Sequence, residues 1–160
     1  MRDYKDKIVS VEKLISERLR LRLEGRTVVL TNGCFDVLHA GHVEYLTFAR
    51  MQGDALIVAL NSDASVRGLK GPERPFVREM QRAAMLAALE AVDYVVIFDT
   101  SEPAPLIAHV LPDVLVKGMD WSHYVSGRDI VEQHGGRVVL ARLTPGCSTT
   151  DLVARIRGQS

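Results

Sequence analysis

A chain of 160 residues, 47% hydrophobic and 25% charged, has the size and balance of one globular domain with a packed core. Twenty Lys plus Arg offset twenty Asp plus Glu, which argues against a broad electrostatic grip on nucleic acid or an anionic membrane. The polar start MRDYKDKIVS is no signal peptide, no long apolar span follows, and Cys34 and Cys147 fit no zinc or CxxC spacing, so a reducing cytoplasm is the expected compartment.

Ser10 reads as the N-cap of a first helix over 11–23, which Gly25 ends. Residues 27–30 read as a buried strand and 41–52 as a helix with Val43, Leu46 and Ala49 on one face. The continuous apolar run 55–60 (ALIVAL) is a strand covered on both faces, and 61–77, with Gly68, Gly71, Pro72 and Pro75, reads as a polar loop. A helix over 79–91 and a strand over 94–98 follow. The next helix, 102–111, carries Pro103 and Pro105 in its first turn, where no internal N–H bond is lost. A strand at 114–117, a helix at 127–134, a last strand at 137–141 and a closing helix at 148–157 complete the chain.

Five strands alternating with helices predict a single-domain, Rossmann-like α/β fold: an open parallel five-stranded sheet with helices on both faces. Ligands in such sheets bind beyond the carboxyl ends of the strands. Polar residues crowd at those ends: Asn32, Gly33, Asp36, His39 and His42 after the first strand, and Asn61, Ser62 and Asp63 after the second. Lys117, Gly118 and Asp120 follow the fourth, and Ser148, Thr149 and Thr150 the fifth.

His39 and His42 are three residues apart at a helix start and share a face. That end carries unpaired N–H groups and a partial positive charge suited to phosphate. Imidazoles there can donate hydrogen bonds to phosphate oxygens and stabilise charge growing in a transition state. Gly41 and Gly33 leave room for a flat ligand against the backbone. A zinc site would need further ligands at suitable spacing, and neither HExxH nor a cysteine cluster is present, so no metal-ligating residue is assigned. The GxGxxG of a dinucleotide fold is missing after the strand.

The stretch HAGH resembles the HxGH motif of the nucleotidyltransferase superfamily that includes cytidylyltransferases and class I aminoacyl-tRNA synthetases. The wider segments TNGCFDVLHAGHVEYL, LNSDASVRGLKGPERPF, LAALEAVDYVVIFD, PDVLVKGMDW and GCSTTDLV resemble the D-glycero-β-D-manno-heptose 1-phosphate adenylyltransferases of lipopolysaccharide core synthesis, over nearly the whole chain. In many bacteria that activity is half of a bifunctional kinase/adenylyltransferase. The resemblance here implies a stand-alone form, one domain over 1–160 with a helical segment at 1–25 and a nucleotide-binding core at 26–160.

The family chemistry is attack of a sugar 1-phosphate oxygen on the α-phosphorus of ATP, with pyrophosphate leaving and Mg²⁺ carried mainly by nucleotide oxygens and water. The resemblance implies that His39, His42 and Lys117 act on the phosphates, and that Asn32, Gly33, Phe35, Gly41 and Gly118 line the nucleotide pocket. It further implies that Ser148, Thr149 and Thr150 form a second phosphate-binding element, that Lys70 and Arg74 lie on a loop closing over the phosphates, and that Asn61 and Asp63 face the sugar or its phosphate. Asp36 either orients His39 or binds a ribose or sugar hydroxyl; Trp121 either stacks on a ligand or packs. Met119 replaces the second glycine of the family's KGGD, and Cys147 has no assigned role.

Two rivals stand beside this reading. One is a cytidylyltransferase acting on glycerol 3-phosphate or a related polyol phosphate; the other is a nucleotide-binding module without catalysis. The expected partners are small molecules, not nucleic acid or membrane. The first helix carries Leu14, Ile15, Leu19, Leu21 and Leu23, more apolar positions than one buried stripe needs, so a homodimer or higher homo-oligomer is expected.

Overall fold

The computed structural model describes residues 3–142 and 144–158. The outer two residues at each end of the expected 1–160 domain, and Leu143, lie outside the described residues. Five parallel strands form one sheet: β1 (Val28–Gly33), β2 (Ala55–Asn61), β3 (Tyr94–Phe98), β4 (Val114–Gly118) and β5 (Arg137–Ala141), in the order β3-β2-β1-β4-β5. The chain winds outward from β1 to β3, then returns to lay β4 on the other side of β1. The reversal leaves a crevice at the carboxyl ends of β1 and β4, where this class of sheet takes its ligands.

Seven α-helices accompany the sheet among the described residues: α1 (Val11–Leu23), α2 (Ala40–Arg50), α3 (Asp63–Lys70), α4 (Glu79–Ala88), α5 (Ala104–Val110), α6 (Arg128–Gln133) and α7 (Thr149–Ile156). Side chains alternate across a strand, so each strand feeds two cores. On one face Leu14 and Leu21 of α1, Ile107 and Val110 of α5 and Val131 of α6 pack on Val28, Leu30, Ile57, Val96 and Leu115. On the other, Leu46 and Ala49 of α2 and Ala83, Leu86 and Ala87 of α4 pack on Val29, Leu56, Val58, Val95 and Val116. All seven residues of β2 are buried, as its unbroken apolar run requires.

Polar side chains fasten the helices. Ser10 Oγ accepts the Lys13 amide at 3.2 Å and caps α1. Arg18, on the buried side of α1, donates from Nη2 to the Leu111 carbonyl past the end of α5 (2.8 Å) and to Asp113 Oδ1 (2.9 Å). Asp113 Oδ2 accepts the Val28 amide at 2.7 Å, so one ion pair joins α1, α5 and β1.

The structure departs from the sequence reading in several places, among them α5, which starts at Ala104 with Pro103 as its N-cap and not at 102. Residues 63–70, expected within a polar loop, form α3, capped by Ser62 Oγ on the Ser65 amide (3.0 Å). At eight residues, with Gly68 inside, it is shorter than the stretch over which helical periodicity is read and carries a breaker signal. β1 continues through Thr31, Asn32 and Gly33, because β2 pairs with it as far as Gly33↔Leu60 and neighbouring backbone overrides weak strand propensity. α4 ends at Ala88, short of the expected 91, as Leu89 turns extended. Short 3-10 turns at Tyr4–Lys7 and Met119–Trp121 had no sequence signal. On α1, Leu14 and Leu21 are buried while Ile15, Leu19 and Leu23 remain exposed. No helix among the described residues is long and apolar enough to cross a membrane.

Candidate active site

The crevice beyond β1 and β4 holds a cleft of about 500 Å³. The backbone leaves β1 through Phe35 at φ 44°, a left-handed conformation that costs a non-glycine residue roughly 1–3 kcal/mol. That turn lays the Phe35 ring over Gly33, where a Cβ would sit 2.9 Å from Phe35 Cε2. The room expected above Gly33 is thus taken by a protein ring.

α2 starts immediately after, with His39 at its N-cap in extended backbone. The His39 and His42 rings stack, centroids 3.9 Å apart at 24°, and Phe35 meets His42 edge-on at 5.3 Å. The His39 amide donates to His42 Nδ1 at 3.4 Å, which favours the tautomer with the proton on Nε2. His42 lines the cleft; His39 lies beside it, off the lining, with Nδ1 buried and unpartnered. Burial, then the charges of His39 and Lys70, lower the His42 pKa to about 4; burial lowers that of His39. Both imidazoles are therefore neutral donors near pH 7. The space over Gly41, expected for a ligand, is filled by Cys147, whose Cβ would lie 2.8 Å from an added Cβ, and by the His39 ring at 3.2 Å.

From β4, Lys117 reaches across the crevice: its Nζ donates to the Asn32 carbonyl at 3.4 Å and sits 5.1 Å from the centre of the Trp121 ring. Burial lowers its pKa, and Asp120 and Cys34 offset part of the effect. Trp121, half exposed on the cleft lining, also lies 6.3 Å from the His123 ring. Asn32 Oδ1 is buried without a partner. Beneath, Tyr45 hydroxyl bonds Thr31 Oγ1 (2.7 Å) and the Val116 carbonyl (3.1 Å), locking α2 to β1 and β4.

Asp36 contacts neither His39 nor open solvent. Its Oδ1 accepts the amides of Phe76 (2.8 Å) and Val77 (2.9 Å), and its Oδ2 the Arg74 guanidinium (2.6 Å). Burial pushes this carboxyl up, but the amides of Val77 and Phe76 and the Arg74 guanidinium outweigh it and hold it below its ordinary value. Arg74 binds Asp36 through Nε and lies 4.8 Å from the Phe76 ring, while its Nη2 is buried without a partner. Asp63 is likewise engaged, by Arg82 Nη2 at 2.7 Å.

The cleft brings together Asn32, Gly33, Phe35 and Asp36 at the β1 exit, His42 of α2, Asn61, Lys70, Lys117, Gly118 and Thr149. His39, Gly41, Asp63, Arg74, Ser148 and Thr150 are off its lining. Ser148 Oγ accepts the Asp151 amide at 3.0 Å as the N-cap of α7, while Thr149 turns into the cleft. Among the described residues no three His, Cys, Asp or Glu side chains cluster to hold a metal ion.

Two features escaped the sequence reading. Arg82 is 1% exposed and donates to the carbonyls of Val77 (2.8 Å), Cys34 (2.7 Å) and Asn61 (2.9 Å) as well as to Asp63. It ties the exits of β1 and β2 to the 71–78 segment. Its one signal was position: it adjoins the apolar stripe Ala83, Leu86 and Ala87. The second is a rim of Ser101, Glu102, Tyr124 and Ser126, brought in by the turns before α5 and α6.

The family model for cytidylyltransferase-like proteins matches residues 30–155. The bifunctional protein HldE of Syntrophotalea carbinolica is 52% identical over 155 residues, 96% of this chain and 32% of that protein. That of Rhodopseudomonas palustris is 54% identical over 158 residues, 97% and 32%. The chain thus spans about a third of the length of these curated relatives. Among solved structures, a lipopolysaccharide core biosynthesis protein of Thermoplasma volcanium superposes with a TM-score of 0.62 at 27% identity, over 75% of this chain and 98% of that one. Pantothenate synthetase of Thermus thermophilus shares the fold (TM-score 0.66, 16% identity, 96% and 69%).

Proposed function

The chain belongs to the cytidylyltransferase-like family of nucleotidyltransferases, and from that premise we propose that it transfers AMP from ATP to D-glycero-β-D-manno-heptose 1-phosphate, giving ADP-heptose and pyrophosphate. The observation that carries the reaction class is the His42 ring at the start of α2, stacked on His39 and lining the same cleft as Lys117. The choice of heptose is supported by the segments LKGPERPF, EAVDYVVIFD and VKGMDW and by about 50% identity to bifunctional HldE proteins. The Thermoplasma neighbour's part in lipopolysaccharide core biosynthesis points the same way.

The acceptor is already an anion, so no protein nucleophile is needed. An oxygen of the sugar phosphate attacks the α-phosphorus in line, a P–O bond forms, and the bond to the pyrophosphate oxygen breaks. The protein supplies position and charge stabilisation. His42 Nε2–H, the unpaired first-turn amides of α2 and the Lys117 ammonium meet the growing negative charge; Thr149 and the amides opening α7 hold the outer phosphates. Mg²⁺, when bound, would be held by the nucleotide's own oxygens and water and would neutralise part of the phosphate charge. Asn61 and Lys70 face the sugar phosphate. Asp36, Arg74 and Asp63 act by holding the 71–78 segment and the β2 exit in place. Such an enzyme works where ATP is made, in the cytoplasm.

A screen of pyrophosphate release over ATP, CTP, GTP and UTP against sugar and polyol phosphates tests the reading. ATP with the heptose phosphate is expected to exceed every CTP pairing in kcat/KM by about 10²-fold or more, as hydrogen-bonded base recognition permits. Faster turnover of CTP with glycerol 3-phosphate would replace it with the cytidylyltransferase reading.

Gly41→Ala adds a Cβ against Cys147, forcing α2 and the 144–148 segment apart. A displacement of that kind is expected to lower kcat/KM by about 10²-fold, and Cys147→Gly in the same chain should restore much of it; steady-state kinetics of the single and double variants decide. The outward Ile15, Leu19 and Leu23 of α1 support self-association through that helix. Light scattering at micromolar concentration should give the mass of a dimer or larger, and a monomer mass would refute this.

A further inference from the structure

The Glu102 rim is unused by the phosphate chemistry, and its hydrogen bonds have a definite polarity. Tyr124 hydroxyl donates to Glu102 Oε2 at 2.9 Å, and Ser126 Oγ donates to the same oxygen at 2.8 Å. Each hydroxyl has one proton and gives it to the carboxylate. Tyr124 and Ser126 are left with lone pairs only, and Glu102 Oε1 carries no hydrogen bond among the described residues. Apart from the Ser101 hydroxyl, this corner of the cleft presents hydrogen-bond acceptors around a negative charge. It suits hydroxyl donors and repels phosphate.

Its place in the fold fits that chemistry. Glu102 precedes α5, and Tyr124 and Ser126 precede α6, helices that pack with α1 on one face of the sheet. His42 comes from α2, on the opposite face. The two groups meet over the carboxyl edge of the sheet in one cleft, with Lys70 and Lys117 also on its lining. A sugar phosphate has the matching asymmetry, an anionic end and an end bearing only hydroxyls.

We propose that Glu102, positioned by Tyr124 and Ser126, binds the hydroxyl-bearing end of the acceptor and sets the enzyme's preference for a polyol phosphate. This rests on the nucleotidyl-transfer reading above and adds to it the part of the cleft that selects the acceptor. The carboxylate accepts one or two sugar hydroxyls through Oε1, and the Tyr124 and Ser126 oxygens accept others. Nucleotide binding does not involve this corner.

The test is calorimetric titration of the wild-type protein, Glu102→Gln and Tyr124→Phe with D-glycero-β-D-manno-heptose 1-phosphate, glycerol 3-phosphate, inorganic phosphate and ATP, alongside thermal melting. Glu102→Gln keeps the shape but removes the charge and places an amide donor at one of the two positions. It should weaken binding of a polyol phosphate by about tenfold or more, the scale of a lost charge-assisted hydrogen bond. Tyr124→Phe should weaken it less. Inorganic phosphate affinity, ATP affinity and the melting temperature should stay unchanged. The proposal is overturned if Glu102→Gln leaves every polyol phosphate within about twofold of wild type, if it weakens ATP and inorganic phosphate equally, or if the wild-type protein binds no polyol phosphate. Pyrophosphate release is read separately: wild-type protein that binds the heptose phosphate without turnover sinks the catalytic reading, and the titrations still decide Glu102.

Discussion

His42→Ala is expected to lower kcat by about two to three orders of magnitude, the usual consequence of removing one donor aimed at developing charge in a dry site. The ring lines the cleft, is held by the stacked His39 and the edge of Phe35, and has Nδ1 occupied by a backbone amide, so Nε2–H is the group left for a phosphate oxygen. His39→Ala should act through loss of the stack and of its own donor. Folding should survive, because removing the half-buried ring strands only the His39 amide, whose bond to Nδ1 is a long 3.4 Å. Burial holds the His42 pKa near 4, below its ordinary 6.5. The unfolded chain therefore binds more protons than the folded one in that interval, and stability falls as pH drops from about 6.5 toward 4. His42→Ala should flatten that part of the profile in thermal melts. A folded His39→Ala/His42→Ala protein with near-normal turnover would remove the pair from the mechanism.

Arg82→Met should cost about 3–5 kcal/mol of stability, the scale for breaking a buried ion pair from one side. Methionine fills the space but donates nothing, leaving the carbonyls of Cys34, Asn61 and Val77 without that donor and Asp63 without its cation. Arg82→Lys should recover little, since one ammonium cannot span acceptors fanned over three segments. Urea unfolding at neutral pH measures this. A midpoint shift equivalent to less than about 1 kcal/mol would mean that water satisfies those groups. Activity should fall with stability, because the same guanidinium positions the β1 and β2 exits.

What was legible in the sequence was local. Strand and helix alternation follows from hydrophobic period, and both faces of ALIVAL are covered as its unbroken apolar run demands. The histidines could be placed because three residues at a helix start share a face. The illegible parts depend on residues far apart in the chain. Asp36 reads equally as a partner for His39 or for a ligand hydroxyl, yet its partners lie at Arg74, Phe76 and Val77. Gly41 looked like room for a nucleotide, and Cys147 takes that room. Arg82 carries a charge and reads as solvated on that ground, although it adjoins the apolar stripe of α4; only folding brings three carbonyls around it. Glu102 read as the opening of a helix, with no hint that Tyr124 and Ser126 would converge on it.

Adenylyl transfer itself is tested most directly by label. Incubation of the protein and Mg²⁺ with D-glycero-β-D-manno-heptose 1-phosphate and ATP labelled at either the α- or the γ-phosphorus should place α-label in a sugar nucleotide and γ-label in pyrophosphate. Both labels should remain in ATP when His39 and His42 are replaced by alanine. Transfer of γ-label to the sugar, or absence of any labelled sugar nucleotide while CTP and glycerol 3-phosphate react, would contradict it.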